Sequence, residues 1–380
     1  MSPAKTYAVM MKETRHILRD RTTFLLLLLI PIALMIIFAY ALAVDIKEVP
    51  ITLLNYDRGV YSRDYVTMLS NSQDLVVGQP AENYAQIEDW FDRSLIKAVI
   101  VIPPDFSESL QAGQPADIQL LVDGTDPATA EFAMNHILSR SLVFGYEVAV
   151  EIFSRQAGAS ALAAIKEPLD LRVRTWYNPG LSNQVGIVPA LLALVLNLPA
   201  LAVMTSLVRE KELGTLEALF ATPLSRGELL VGKIIPYVFF SLISAILCAV
   251  AAVSIFDVPF RGSFPLFLLF STIFFLAAFS MALLISIFLP TQAAAAIGGL
   301  LIFIFPAFFI SGIFFPVSAF PDMVKMEASF IPSTPFVAIV RGLMIKGQGL
   351  EALWPQAALM LGVFVAMTLL SILLFKKKIA

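Results

Sequence analysis

The stretch Val208–Lys233, VREKELGTLEALFATPLSRGELLVGK, holds the residues of this chain best suited by type and spacing to chemistry with another molecule. Arg209, Glu210, Lys211 and Glu212 place four consecutive charges at the end of an apolar run. Such a collar can reach water while its stems stay in apolar surroundings. Gly214 breaks the run, and Thr215 can cap a short helix with Leu216, Leu219 and Phe220 on one face and Glu217 among them. Thr222-Pro223 stops that helix, and Ser225 with Glu228 three residues on makes a capping box for the next. The chemistry on offer is ion pairing and apolar docking. An amphipathic helix of this kind either lies among lipid headgroups or docks on a partner, and the residues alone weigh the two equally.

Groups that make or break bonds are scarce. Asp123-Gly124-Thr125 is reminiscent of a phosphatase nucleophile motif, but Leu121 stands where that motif needs a second aspartate. A turn leading into a helix cap is the better reading. His16 and His136 have no second His or Cys at ligand spacing, so no metal site is expected. Cys248 lies in an apolar run and reads as a small apolar residue. Gly232-Lys233 is followed by Ile234, where a phosphate-binding loop requires Ser or Thr, and is read as wanting that loop's upstream glycine, so no ATP site is expected in this chain. No catalytic residue is assigned.

The elements that position the loop are apolar. Six runs without Asp, Glu, Lys, Arg or His span Phe24–Val44, Val185–Val208, Ile234–Phe256, Phe264–Leu289, Ala293–Pro316 and Trp354–Phe375. Each is long enough as a helix, at about 1.5 Å per residue, to cross a hydrocarbon core of about 30 Å. In lipid such segments must be helical to satisfy their own backbone groups. The composition, 58% hydrophobic, 14% charged and of mean hydropathy +0.82, agrees with an α-helical membrane protein of six transmembrane helices. Ion-driven carriers usually keep an ionisable group inside the membrane, and these runs contain none.

Charge sets the expected orientation. Lys5, Lys12, Arg15, Arg19 and Arg21 precede the first run, Arg209, Lys211, Arg226 and Lys233 lie between the second and third, and Lys376, Lys377 and Lys378 follow the sixth. The short loops on the other side carry only Arg261, Lys325, Arg341 and Lys346. By the positive-inside rule both termini are cytoplasmic. The segment between the first and second runs is then extracytoplasmic. Within it Val49–Asn55, Lys97–Ile102 and Ile118–Val122 read as strands. Tyr61–Leu69, Tyr84–Phe91 and Phe106–Leu110 read as helices, and a long helix starts with Asp126 as N-cap and Pro127 at its first position, running to about Ala164. This is an α/β domain on a helical stalk. The divisions are residues 1–23 as an amphipathic interface helix, 24–44 as the first span and 45–184 as the α/β domain. Residues 185–380 form a five-helix region with a loop at 209–233 and an external amphipathic segment at 317–353.

The 209–233 loop resembles the signature of the ABC-2 permeases, the membrane subunits of one class of ATP-driven exporters. That signature is roughly R-E-x-E-x-G-T-x-E, then T-P-x-S-R-x-E and G-K. The chain supplies Arg209, Glu210, Glu212, Gly214, Thr215, Glu217, Thr222, Pro223, Ser225, Arg226, Glu228, Gly232 and Lys233. Ser311–Pro316 (SGIFFP) resembles the family's S-G-x-x-F-P, and Pro335–Gly349 its external amphipathic segment, for which a lipid-facing helix is the alternative. Lys5, Lys12, Arg15 and Arg19 share one face of an N-terminal helix like that of the drug-export branch.

The resemblance implies an ABCG-like fold (type V). Two ATPase subunits, which hold ATP and Mg²⁺, dock beneath a pair formed with a second copy or a related permease. It leaves room for a periplasmic adaptor. The lack of an Asn-x-Ser/Thr sequon in the outer segment favours a bacterial inner membrane, and the net charge of −3 points to no nucleic acid. The resemblance makes Arg209, Glu210, Glu212, Gly214, Thr215, Leu216, Glu217, Leu219, Phe220 and Pro223 the ATPase-coupling residues. The second and fifth spans line the subunit interface in relatives, so Leu192, Val195, Asn197, Ile302, Phe305, Phe308 and Phe309 are candidates for a path for hydrophobic or amphiphilic substrate. Asn197 is either a substrate contact or helix–helix glue. Sodium export by an ABC-2 permease and a non-transporting receptor or scaffold are the other readings.

Overall fold

The computed structural model describes residues 2–43, 47–72, 74–157, 176–179, 182–215 and 225–374, and the chain divides into two compact units. Leu216, Glu217, Leu219, Phe220 and Pro223 lie outside the described residues, as do the end of the expected stalk and the basic tail.

One unit is helical. Helix α1 (Pro3–Arg19) begins with proline at its first position, where the missing N–H costs nothing. It gives way at Asp20 to α2 (Arg21–Leu42), the first span. Leu25–Leu29 form a π-helical turn in α2, with the Ile30 N–H reaching back to Leu25 O just before Pro31. The same device recurs in the fifth span, where the Phe305 N–H reaches Leu300 O just before Pro306. The wider turn absorbs the proline, whose ring and missing N–H disturb the regular ladder.

The second unit spans Asp45–Val173. Its strands are β1 (Val49–Asn55), β2 (Leu75–Val77), β3 (Ala98–Ile102) and β4 (Gln119–Val122), in the order β2-β1-β3-β4. β1 is parallel to β2 and β3, with Ile51 opposite Ala98, and β4 runs antiparallel to β3 with Ala98 opposite Val122. Its helices are α3 (Val60–Ser70), α4 (Tyr84–Asp92), α5 (Phe106–Gln111) and α6 (Pro127–Ala157). Alternate strand residues feed two cores. Ile51, Leu53, Ile100 and Ile102 pack with Tyr65, Phe106 and Phe144, while Leu54, Val99 and Val101 pack with Ile87. Burial on both faces explains the uninterrupted apolar run AVIVI in β3. Asp126 accepts hydrogen bonds from the N–H and hydroxyl of Thr129 and so caps α6. Asp123 forms a turn with Thr125 and pairs with Lys97 at 2.7 Å. That is the turn-and-cap reading of the Asp123-Gly124-Thr125 sequence.

The helical unit continues with α7 (Asn183–Val195) and α8 (Leu198–Glu212), which together form the second span. Then come α9 (Arg226–Phe256), α10 (Phe264–Ser286), α11 (Gln292–Phe309), α12 (Asp322–Phe330), α13 (Ser333–Met344) and α14 (Leu350–Leu374). Among the described residues six helices are long and apolar enough to cross a membrane, and this is a helical membrane protein. The second span is enclosed by the others, 94% of its most apolar window being buried, whereas only 22%, 22% and 17% of that window is buried in α2, α11 and α14. Helices α12 and α13 meet at 80°. Helix α13 buries Phe336, Ile339, Val340 and Leu343 in the bundle, and Phe336 stacks on Phe274 of α10 with ring centroids 4.3 Å apart. The segment expected as an external amphipathic helix therefore packs its apolar face against protein.

Candidate coupling site

Helix α1 buries Val9, Glu13 and Ile17, residues four apart on one face, so a glutamate sits in the middle of an otherwise apolar stripe. Its partner is Lys233 of α9, immediately before that helix's apolar run. Lys233 Nζ lies 3.2 Å from Glu13 Oε2 and 3.0 Å from Glu210 Oε2, with the Lys233 and Glu13 side chains each 1% exposed. Lys12 completes the group, 3.2 Å from Glu13 Oε1 and bonded to Glu210 Oε1. Two cations and two carboxylates from α1, α8 and α9 thus balance, with Lys233 and Glu13 closed to water and Lys12 at the solvent edge. Such a cluster holds only while all members are present, because a lone buried charge is costly.

Gly232 lets α1 come this close. A Cβ at Gly232 would stand 2.7 Å from Val9 Cβ and 3.0 Å from Thr6 O. The start of the contact is held by Glu228, which accepts from the Ser2 and Ser225 N–H groups while Ser225 caps α9. The expected capping box is present and is also the attachment point of the chain's N-terminal arm.

The other collar charges reach three further elements. Arg209 Nη1 lies 3.2 Å from Asp20 Oδ2 at the α1–α2 junction. Burial opposes ionisation of Asp20, but the Thr23 hydroxyl, the Thr22 N–H and Arg209 outweigh it and hold the carboxyl below its ordinary range. Lys211 Nζ donates to Ile287 O and Leu289 O, and Glu212 Oε2 accepts from the backbone and side chain of Gln292 at the start of α11. So Arg209–Glu212 do more than snorkel. They join the end of the second span to the first, third, fourth and fifth. Gly214, at φ +70°, ends α8 in the left-handed conformation that favours glycine, and Thr215 Oγ1 bonds back to Glu210 O. A cavity of ≈ 440 Å³ opens here between Lys12, His16, Arg209, Glu210 and Thr215, where the chain enters residues 216–224.

Gly232-Lys233 lies within α9. Gly227 completes the G-x-x-x-x-G-K spacing of a phosphate loop, so Ile234 is the only departure in sequence. Residues 227–233 are helical throughout, however, and the Lys233 ammonium is spent on Glu13 and Glu210. There is no loop of free N–H groups to hold phosphate.

Of the basic N-terminal residues, Lys12, Arg15 and Arg19 are exposed and Lys5 is half-buried. The expected path residues fall into two sets. Leu192, Val195 and Asn197 are enclosed within this chain, and the Asn197 amide donates to Ala193 O and Ser333 Oγ at 2.6 and 2.8 Å. That bond ties the α7–α8 break to α13. On α11, Ile302 and Phe308 are half-buried while Phe305 and Phe309 are exposed, in one stripe with Ile297 and Leu301.

Residues 21–373 match the family described as ABC-2 family transporter protein. The chain belongs to the ABC-2 family. It is 30% identical over 350 residues to the probable multidrug ABC transporter permease YbhS of Escherichia coli, covering 91% of this chain and 90% of that one. It is 26% identical to the probable multidrug ABC transporter permease YbhR of the same organism, over 92% of each. It is 27% identical to the inner membrane transport permease YhhJ, over 97% of this chain and 96% of the relative. An ABC-2 exporter permease thus carries the collar, and the collar's bonds bring in residues from outside the expected coupling set. Glu13, Asp20, Lys233 and Gln292 complete its bonds, and Gly232 permits the packing. A signal for Glu13 exists: it is the one charge on the Val9–Ile17 stripe. Asp20 and Gln292 lie outside any periodic pattern and find their partners only in three dimensions.

Proposed function

We propose that this permease is the membrane half of an ATP-driven exporter. It moves a hydrophobic or amphiphilic substrate, drug-like or lipid-like, out of the cytoplasm or the inner membrane, with ATP hydrolysed on separate subunits. The observation that carries the reading is the collar Arg209–Glu212, which binds to the first, third, fourth and fifth spans and leads directly into the loop 213–224. A push on that loop reaches every helix joined to it. The ATPase dimer supplies the push on closing, and the packed helices respond by rocking as bodies. The charge distribution supports cytoplasmic termini in a bacterial inner membrane, with α1 as an interface helix and the α/β unit outside. The absence of ionisable residues from the apolar runs, and the exposed stripe Ile297, Leu301, Phe305 and Phe309 facing a second copy or a related permease, support a lipophilic cargo.

Purification of the complex in detergent, with intact-mass measurement and an ATPase assay, tests this. The expected particle holds two permeases and two ATPase subunits, and its hydrolysis rises with lipophilic drugs and not with Na⁺. A chain that purifies without any ATPase contradicts the reading.

A further inference from the structure

Arg341 of α13 lies across the start of α7 and the segment that follows α11. Its Nε donates to Gly186 O at 3.0 Å, Nη1 to Gly312 O at 2.6 Å and Nη2 to Ile313 O at 2.7 Å. A guanidinium has five N–H donors, so three bonds leave two. Among the described residues no carboxylate lies within ion-pair distance of it. A partly buried cation is therefore stabilised by neutral carbonyl dipoles alone, a state that an anion would improve.

Beside it is a cleft of ≈ 350 Å³ with no acidic residue in its lining. Pro335, Val337 and Leu359 give it an apolar wall, and Thr334 Oγ1 and Gln356 Oε1 are buried along it with no hydrogen-bond partner. Unsatisfied polar groups in such a place carry a cost until a ligand or water meets them. The Thr334 hydroxyl can donate to an anion, whereas Gln356 Oε1, an acceptor, is met by a hydroxyl or a water that accompanies the headgroup.

We propose that this cleft binds the anionic headgroup, carboxylate or phosphate, of an amphiphile whose chain lies on the apolar wall. The headgroup takes the two free N–H donors of Arg341 and the Thr334 hydroxyl. The same chemistry has two sources, a bilayer phospholipid or a transported amphiphile, and only the second rests on the export reading.

Native mass spectrometry of the full chain in detergent tests the site without any ATPase, so its failure leaves the export reading untouched. Oleate and oleyl alcohol serve as probes that share a tail and differ in charge. Oleate is expected to bind about tenfold or more tighter than the alcohol, the worth of a charge-assisted bond. Ala338→Trp, at the exposed mouth of the cleft, fills it while leaving the carbonyl bonds of Arg341 in place, and is expected to abolish that binding. Arg341→Gln is expected to remove the preference for charge. Displacement of oleate by phosphatidylglycerol but not phosphatidylcholine assigns the site to bilayer lipid, and no displacement by either assigns it to a transported amphiphile. Equal binding of oleate and oleyl alcohol, or oleate binding unchanged in Ala338→Trp, overturns the proposal.

Discussion

Lys233 and Glu13, 220 residues apart in sequence, meet at 3.2 Å with both side chains closed to water. The pair fixes α1 to the third span. Because Glu210 shares the same ammonium, it also fixes α1 to the second span, where the 209–233 segment begins.

Removing Lys233 leaves Glu13 and Glu210 buried with only the half-exposed Lys12 to balance them. Lys233→Ala is expected to destabilise the fold by about 3–5 kcal/mol, the usual cost of breaking a buried pair from one side. Lys233→Met combined with Glu13→Gln and Glu210→Gln should recover most of that loss. Thermal unfolding in detergent reads both, and equal melting of wild type and Lys233→Ala would contradict the role given to the cluster.

Gly232 makes a second, steric prediction. Gly232→Ala should loosen α1 and raise hydrogen exchange across residues 3–19. Val9→Ala should not restore it, because the clash is with Val9 Cβ at 2.7 Å, which alanine retains. Recovery in the Gly232→Ala, Val9→Ala pair would place the close contact elsewhere.

Much of this arrangement is legible in the sequence, and the reasons are local. β1 and the start of α6 follow from periodicity and from Asp126-Pro127, and the six spans from length and hydropathy, because each signal is carried by neighbours in the chain. β2 escapes such a reading because three residues cannot carry a period, and it exists through pairing of Val49 with Leu75. In sequence the collar reads as four charges bound for water. Its partners, Asp20, Glu13, Lys233 and Gln292, lie on other elements, so only folding brings them together.

Asn197 and Ser333 should act as a unit. Because the Asn197 amide donates to the Ser333 hydroxyl inside the bundle, Asn197→Ala and Ser333→Ala are expected to be non-additive by about 1 kcal/mol in a double-mutant cycle. Additive losses would favour Asn197 as a substrate contact instead.

Acid should strike the α/β unit through its aspartates. The hydrogen bonds from Lys97 and then from Thr125 pull Asp123 down to about 2, and the Thr129 bonds hold Asp126 low. A carboxyl depressed in the fold contributes stability that is complete above its unfolded pKa of about 3.9 and is lost as pH falls toward the folded value. Pepsin cleavage within residues 47–157 is therefore expected to rise between about pH 4 and 2, and Asp123→Asn should flatten that rise. A pH-independent cleavage rate across this window would be the contrary result.

Orientation is open to a labelling test. Cysteine at position 2 or 379 should resist an impermeant thiol reagent in intact cells with a permeabilised outer membrane, and cysteine at 114 should react. Labelling at either terminal position would overturn the cytoplasmic assignment.

On the proposed export reading, a separate ATPase drives this permease through the loop that the collar anchors. The most direct measurement is drug transport in liposomes holding the permease and its ATPase, comparing wild type with Glu217→Lys combined with Phe220→Ala. These positions give the loop its acidic and large apolar side chains, and a phenylalanine left uncovered costs about 1.5–3 kcal/mol. The account predicts a variant that inserts and melts like wild type but loses ATPase association or substrate-stimulated turnover, and transport with it. Transport at the wild-type rate would contradict it and leave the loop as a helix resting in lipid headgroups.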